Sequence, residues 1–126
     1  MIVKTPILPE RVRVVPKSFS WIDHRLVSDG HIDRFSHAAG ILYLFLVCVG
    51  DDKGLSYYGD QTLMKKLSME PDALESARSD LMGMGLVSWQ KPLYQVLCLA
   101  PAPHRQRMSS PMGLGDILKK AMRGTP

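Results

Sequence analysis

Apolar residues change their spacing repeatedly between Asp60 and Leu99, and each change marks a new local structure. Leu63, Met64 and Leu67 share one face of a helix over Asp60 to Leu67. The Asp60 carboxylate suits its N-cap, because first-turn amides have no partners within a helix. Ser68-Met69-Glu70 breaks the pattern, and Pro71 fits the first position of a second helix, where a missing N–H costs nothing. Leu74, Ala77 and Leu81, with Ala73 beside them, then form a narrow inward stripe as far as Met82. Gly83 and Gly85 end that helix, since a glycine past the last turn takes the left-handed conformation readily. Leu86 to Trp89 and Tyr94 to Leu99 read as two strands around a hairpin tip at Gln90 to Leu93, where Pro92 removes no ladder amide.

Upstream, Ala38 to Val49 is apolar nearly all round, as in a helix covered on several sides. Periodicity alone leaves a buried strand open for Ile41 to Val49. A helix over Ser36 to Val49 is preferred because Ser36 caps it and leucines outnumber β-branched residues. Gly50 to Gly54 is a turn, and Leu55 to Tyr58 a short strand able to pair with the hairpin. A short helix is expected over Ile22 to Val27, capped by Ser20, with Trp21, Ile22, Leu26 and Val27 packing together. The consecutive Asp23, His24 and Arg25 point in different directions on a helix and read as a solvated or ion-paired face, not an acid-base site.

The ends differ in character. Met1 to Lys17 mixes apolar and basic residues among Pro6, Pro9 and Pro16, giving either an arm with one short strand around Val12 to Val15 or a segment disordered in isolation. It packs either on a second subunit or on its own domain. After Leu99, prolines, glycines and basic residues mark a tail, with a short amphipathic helix at Asp116 to Arg123 that is too short to be stable alone. The chain thus divides into an arm (1–17), one domain (18–99) and a basic tail (100–126). The fold class is mainly α with a small antiparallel sheet, α+β.

Gly54-Leu55-Ser56, Leu63, Leu67-Ser68, Ala77-Arg78, Leu81 and Gly85-Leu86-Val87 resemble the rhythm of winged helix-turn-helix DNA-binding domains. The likeness covers roughly residues 20 to 99. It is greatest to the amino-terminal domains of phage and plasmid replication-initiation proteins and DnaD-type primosome proteins, with MarR-type regulators more distant. It implies duplex DNA as the partner, a major groove entered by the helix that begins at Pro71, and a wing at the hairpin tip.

Composition narrows the function classes. With 126 residues, 45% hydrophobic and 22% charged, the chain is long enough for one cored domain and too short for two. Cys48 and Cys98 lie in apolar runs and read as reduced core residues. The histidines stand apart from the cysteines, so no metal site or cofactor is expected. No signal peptide is visible, and Ile41 to Val49 falls short of the ~20 residues that cross a bilayer, so no membrane partner and a cytoplasmic location are expected. A phosphate loop, a nucleophile elbow and paired catalytic carboxylates are all missing, which makes an enzyme the least expected class.

Charge is uneven. Met1 to Ser36 carries six Lys/Arg against four Asp/Glu, His37 to Leu99 five against seven, and the remainder five against one, for a net charge of +4. The basic excess is therefore in the ends. Within the helix-turn-helix, Lys65, Lys66 and Lys91 are candidates for phosphate contacts, with Gln90 and Tyr94 beside them at the wing. Ser76, Ser79 and Arg78 are candidates for base edges. Asp72, Glu75 and Asp80 on the same helix oppose DNA, with Glu75 spaced to pair with Arg78. Two functions compete. One is a DNA-binding protein of replication initiation or transcriptional regulation, dimeric through its arm or first helices. The other is a protein-interaction module of a replication or transcription complex.

Overall fold

The computed structural model describes residues 3–99, and the tail with its expected helix lies outside them. The described residues form α1 (Arg25–Ser28), α2 (His37–Val49), β1 (Leu55–Tyr57), α3 (Asp60–Leu67), α4 (Pro71–Gly83), β2 (Val87–Gln90) and β3 (Leu93–Val96). The strands make one antiparallel sheet in the order β1-β3-β2, which gives an α+β architecture. Ser56 and Trp89 both lie opposite Tyr94, from the two sides of β3.

The core follows from helical spacing. α2 begins where the Ser36 hydroxyl accepts the Ala39 amide at 3.0 Å, as its sequence predicts. Ala39, Leu42, Tyr43 and Leu46 then recur at i, i+3, i+4 and i+7 and are buried. They pack against α4, whose Leu74, Ala77 and Leu81 form the facing stripe, with Leu63, Leu86 and Tyr94 closing the cluster. Burying each such leucine stabilises the fold by about 1.5–3 kcal/mol. The Phe35 and Tyr43 rings lie 5.9 Å apart, and the Phe45 and Tyr58 rings meet edge-on at 5.0 Å, which ties α2 to the segments on either side. No described helix is long and apolar enough to cross a membrane.

Several expectations change. α2 buries one face only: Ile41, Leu44 and Cys48 stand exposed on the other. Cys98 is exposed too, two residues beyond the end of β3 at Val96 and between Leu97, whose amide bonds to the Leu86 carbonyl, and the buried Leu99. Both thiols are free surface groups, not core residues. Asp60 is not the cap of α3. Gly59 occupies that position and Asp60 falls in the first turn, where its carboxylate turns to a cation instead. The short early helix starts at Arg25, not Ile22. His24 stands at its N-cap, and Asp23 just before it accepts the Arg25 amide at 2.9 Å and the Arg25 guanidinium at 2.8 Å. Trp21, Ile22 and Val27 are exposed and only Leu26 is buried. The arm has no strand. It makes one 3-10 turn at Pro9–Arg11, and its described residues are all exposed, so it has no seat on its own domain.

Two turns set the relative placement of the helices and the sheet. Between α2 and β1, Asp51 Oδ1 accepts the amides of Leu55 and Lys53, each at 2.9 Å. Those two bonds hold its carboxyl below the usual aspartate range. Gly54 closes the turn at φ +79, with its carbonyl accepting the Val96 amide, so that β1 and β3 approach closely there. A Cβ on Gly54 would meet the Val96 carbonyl oxygen at 2.6 Å. Gly85 ends α4's exit at φ +74 with nothing near the space a Cβ would fill.

These glycines give a paired prediction. Gly85→Ala bears left-handed strain alone and costs about 1–2 kcal/mol, whereas Gly54→Ala adds a backbone collision and costs roughly 3 kcal/mol or more. Urea unfolding of the two variants checks the order. A second prediction concerns Ser56, whose buried hydroxyl has no hydrogen-bond partner. Ser56→Ala raises stability by up to about 1 kcal/mol in the same measurement, since an unpaired buried hydroxyl is a cost in the native state.

Candidate nucleic-acid interface

α3 and α4 are joined by a tight turn in which Ser68 takes a left-handed conformation at φ 54. The amide after it, Met69, bonds back to the Met64 carbonyl at 3.0 Å. α4 then turns one face to the core and leaves Pro71, Asp72, Glu75, Ser76, Ser79 and Met82 exposed. On α3, Lys65 and Lys66 are exposed in the last turn, where cations also favour the helix dipole. At the hairpin tip Gln90 and Lys91 are exposed, and the Lys91–Pro92 peptide is cis. Six of the candidate residues therefore stand at the surface: Lys65, Lys66, Ser76, Ser79, Gln90 and Lys91.

The other two do not. Arg78 is 7% exposed and Tyr94 0%, so neither can meet DNA as expected. Arg78 Nη1 donates to Tyr94 Oη and to Asp60 Oδ1, both at 2.9 Å. Its guanidinium carbon lies 3.8 Å from the centre of the Trp89 ring, which itself stacks on Tyr94 at 6.1 Å between centroids. The expected partner Glu75 is displaced by Asp60, eighteen residues earlier on α3. Burial opposes the charge on Arg78, but the bonds to Tyr94 and Asp60 outweigh it and raise its pKa above the ordinary arginine value. The arginine thus fastens three elements: the start of α3, the middle of α4 and the β2-β3 hairpin.

The sequence carried a signal for this. Leu74, Ala77, Arg78 and Leu81 occupy i, i+3, i+4 and i+7, so Arg78 completes the inward face of α4. Trp89 and Tyr94, set opposite each other across the hairpin, share one face of the sheet. Only the long-range partner, Asp60, was beyond local pattern. With Arg78 withdrawn, the outward face of α4 carries acids and neutral groups and no cation.

No protein-family model matches the chain, and the searches of curated proteins and of solved structures gave no significant match. Among the described residues no cluster of His, Cys, Asp and Glu is set to hold a metal.

The clamp predicts a loss of stability. Arg78→Met keeps volume but strips Tyr94 of its partner and the ring of its cation, costing about 2–3 kcal/mol in denaturant unfolding, and Arg78→Lys recovers part of it. A pH effect follows from Tyr94. Burial pushes its phenol above the ordinary 10.0, against the opposing influence of Arg78. A raised native pKa means the stabilising contribution is complete below about pH 10 and declines as pH rises past it, because the unfolded tyrosine ionises first. Melting temperature should fall above that pH, and fall less in Tyr94→Phe than in the unaltered protein.

Proposed function

We propose that the protein is a winged-helix DNA-binding protein, acting in replication initiation or in transcriptional regulation of a phage, plasmid or mobile element. The supporting observation is the solvent-open face of α4, with Ser76 and Ser79 free to donate and accept, on a helix preceded by the exposed Lys65 and Lys66 and followed by the exposed Lys91. In this reading the three lysines take phosphates, Gln90 assists at the wing, and the serines lie at base edges in the major groove. The basic tail adds affinity that does not depend on sequence. The resemblance to replication-initiation domains in the spacing of Gly54 to Val87 supports the same assignment.

A second reading has an observation of its own. Asp72, Glu75 and Asp80 on α4 are not offset by Arg78, which is neutralised inside the fold by Asp60. A face of that charge suits a basic protein surface in a replication or transcription complex better than it suits phosphates.

A salt titration of binding to duplex DNA separates the two. The three lysines on phosphates contribute about −2.7 to the slope of log affinity against log salt, basic residues outside the domain steepen it further, and Lys65→Ala with Lys66→Ala reduces it by about 2 while weakening all duplex sequences alike. Absence of duplex binding at low salt would favour the protein partner. Unchanged affinity in the double variant would remove α3 from the interface.

A further inference from the structure

α2 presents a second apolar surface that its own domain does not cover. Ile41, Leu44 and Cys48 recur at i, i+3 and i+7, on the side of the helix opposite Leu42 and Leu46. Ile41 is 42% and Leu44 44% exposed. The spacing is that of a helix-pairing seam, and α2 contains no Asp, Glu, Lys or Arg along its length. Two such stripes meet without bringing like charges together. The acidic face of α4 has no such property.

We propose that this stripe is the centre of a two-fold interface with a second copy of the same chain, and that each arm crosses onto its partner. The area argues for both parts. The stripe alone falls well short of the ~800 Å² per partner that a specific interface buries. Further apolar surface comes from the exposed Ile7, Val12, Val14, Val15, Phe19 and Trp21, which precede α1 and touch nothing that buries them. Reach is sufficient: even with the 3-10 turn at Pro9–Arg11, about twelve extended residues span roughly 40 Å, against roughly 20 Å for a thirteen-residue helix such as α2. Charge fits as well. The arm carries Lys4, Arg11, Arg13 and Lys17 against the single Glu10. The surface around α2 has a net negative charge at both ends, with exposed Asp29 and Asp33 against Arg34 before it and exposed Asp51 and Asp52 against Lys53 after it. A basic, apolar arm laid along an uncharged stripe between acidic ends satisfies both kinds of surface at once. An isologous pair of this kind closes and does not polymerise. The inference is independent of what the α4 face binds.

Light scattering after size exclusion, with the full chain at tens of micromolar, reads the mass directly. The expected mass is that of a dimer. Leu44→Glu should weaken self-association at least a hundredfold with an unchanged circular-dichroism spectrum, removal of residues 1–15 should weaken it about tenfold or more, and Met82→Glu on α4 should leave it intact. If Leu44→Glu disturbs folding, Leu44→Cys in a chain with Cys48→Ser and Cys98→Ser supplies the reading: mild oxidation links the two copies, and Met82→Cys in the same background does not link. A monomeric unaltered chain, a dimer that survives Leu44→Glu or preferential linkage through Met82→Cys would overturn the proposal.

Discussion

One buried guanidinium holds the helix pair and the hairpin in register. Placing a charge where Arg78 lies is unfavourable unless every part of it is answered, and here each part is. The Asp60 carboxylate supplies the opposite charge, the Tyr94 hydroxyl takes a second bond from the same nitrogen, and the Trp89 ring covers the flat face. Asp60 remains partly open to water, with 43% of its side chain exposed, which lessens the cost of desolvating the pair. Because the partners come from α3, β2 and β3, the hairpin cannot swing away from α4 without stranding the cation. Leucine packing between α2 and α4 draws the helices together, but apolar contacts are not directional, and it is the clamp that selects one angle for the β2-β3 hairpin.

That internal commitment shapes the surface. α4 keeps its one arginine inside and presents acids and serines outside, so any attraction for phosphate must come from its neighbours, Lys65 and Lys66 on α3 and Lys91 at the hairpin tip. The clamp fixes where those flanking lysines stand relative to α4. Fold stability and the layout of this surface are in this sense set by the same residue. The apolar outer stripe of α2, by contrast, does not engage this network.

Local pattern disclosed the elements well where one face met the core. The Ser36 cap, the stripes of α2 and α4, the Pro71 start and the hairpin around Lys91-Pro92 all follow from short-range chemistry, and the third strand pairs with the hairpin as Leu55 to Tyr58 suggested. Burial was less legible. An all-apolar helix was read as enclosed, although hydrophobic character says only that cover is favourable and not that the same chain provides it. Cys48 is exposed for that reason, and Cys98 because it lies two residues beyond the end of β3. The charge of Arg78 suggests an outward base contact, while its position four residues after Leu74 puts it on the inward face. Sequence proximity suggested Glu75 as its partner, and tertiary folding supplied Asp60. Tyr94 was assigned to the wing surface, but its place opposite both Ser56 and Trp89 makes it the buried centre of the sheet.

Nuclear magnetic resonance of the arginine side chains reads directly whether Asp60, Tyr94 and Trp89 hold Arg78 inside the fold. One guanidinium group should show slowed rotation, slow solvent exchange and resonances shifted upfield by the indole ring, with the shift but not the protection lost on Trp89→Leu. An Arg78 guanidinium exchanging as fast as those of the exposed Arg11 and Arg13 would contradict that placement.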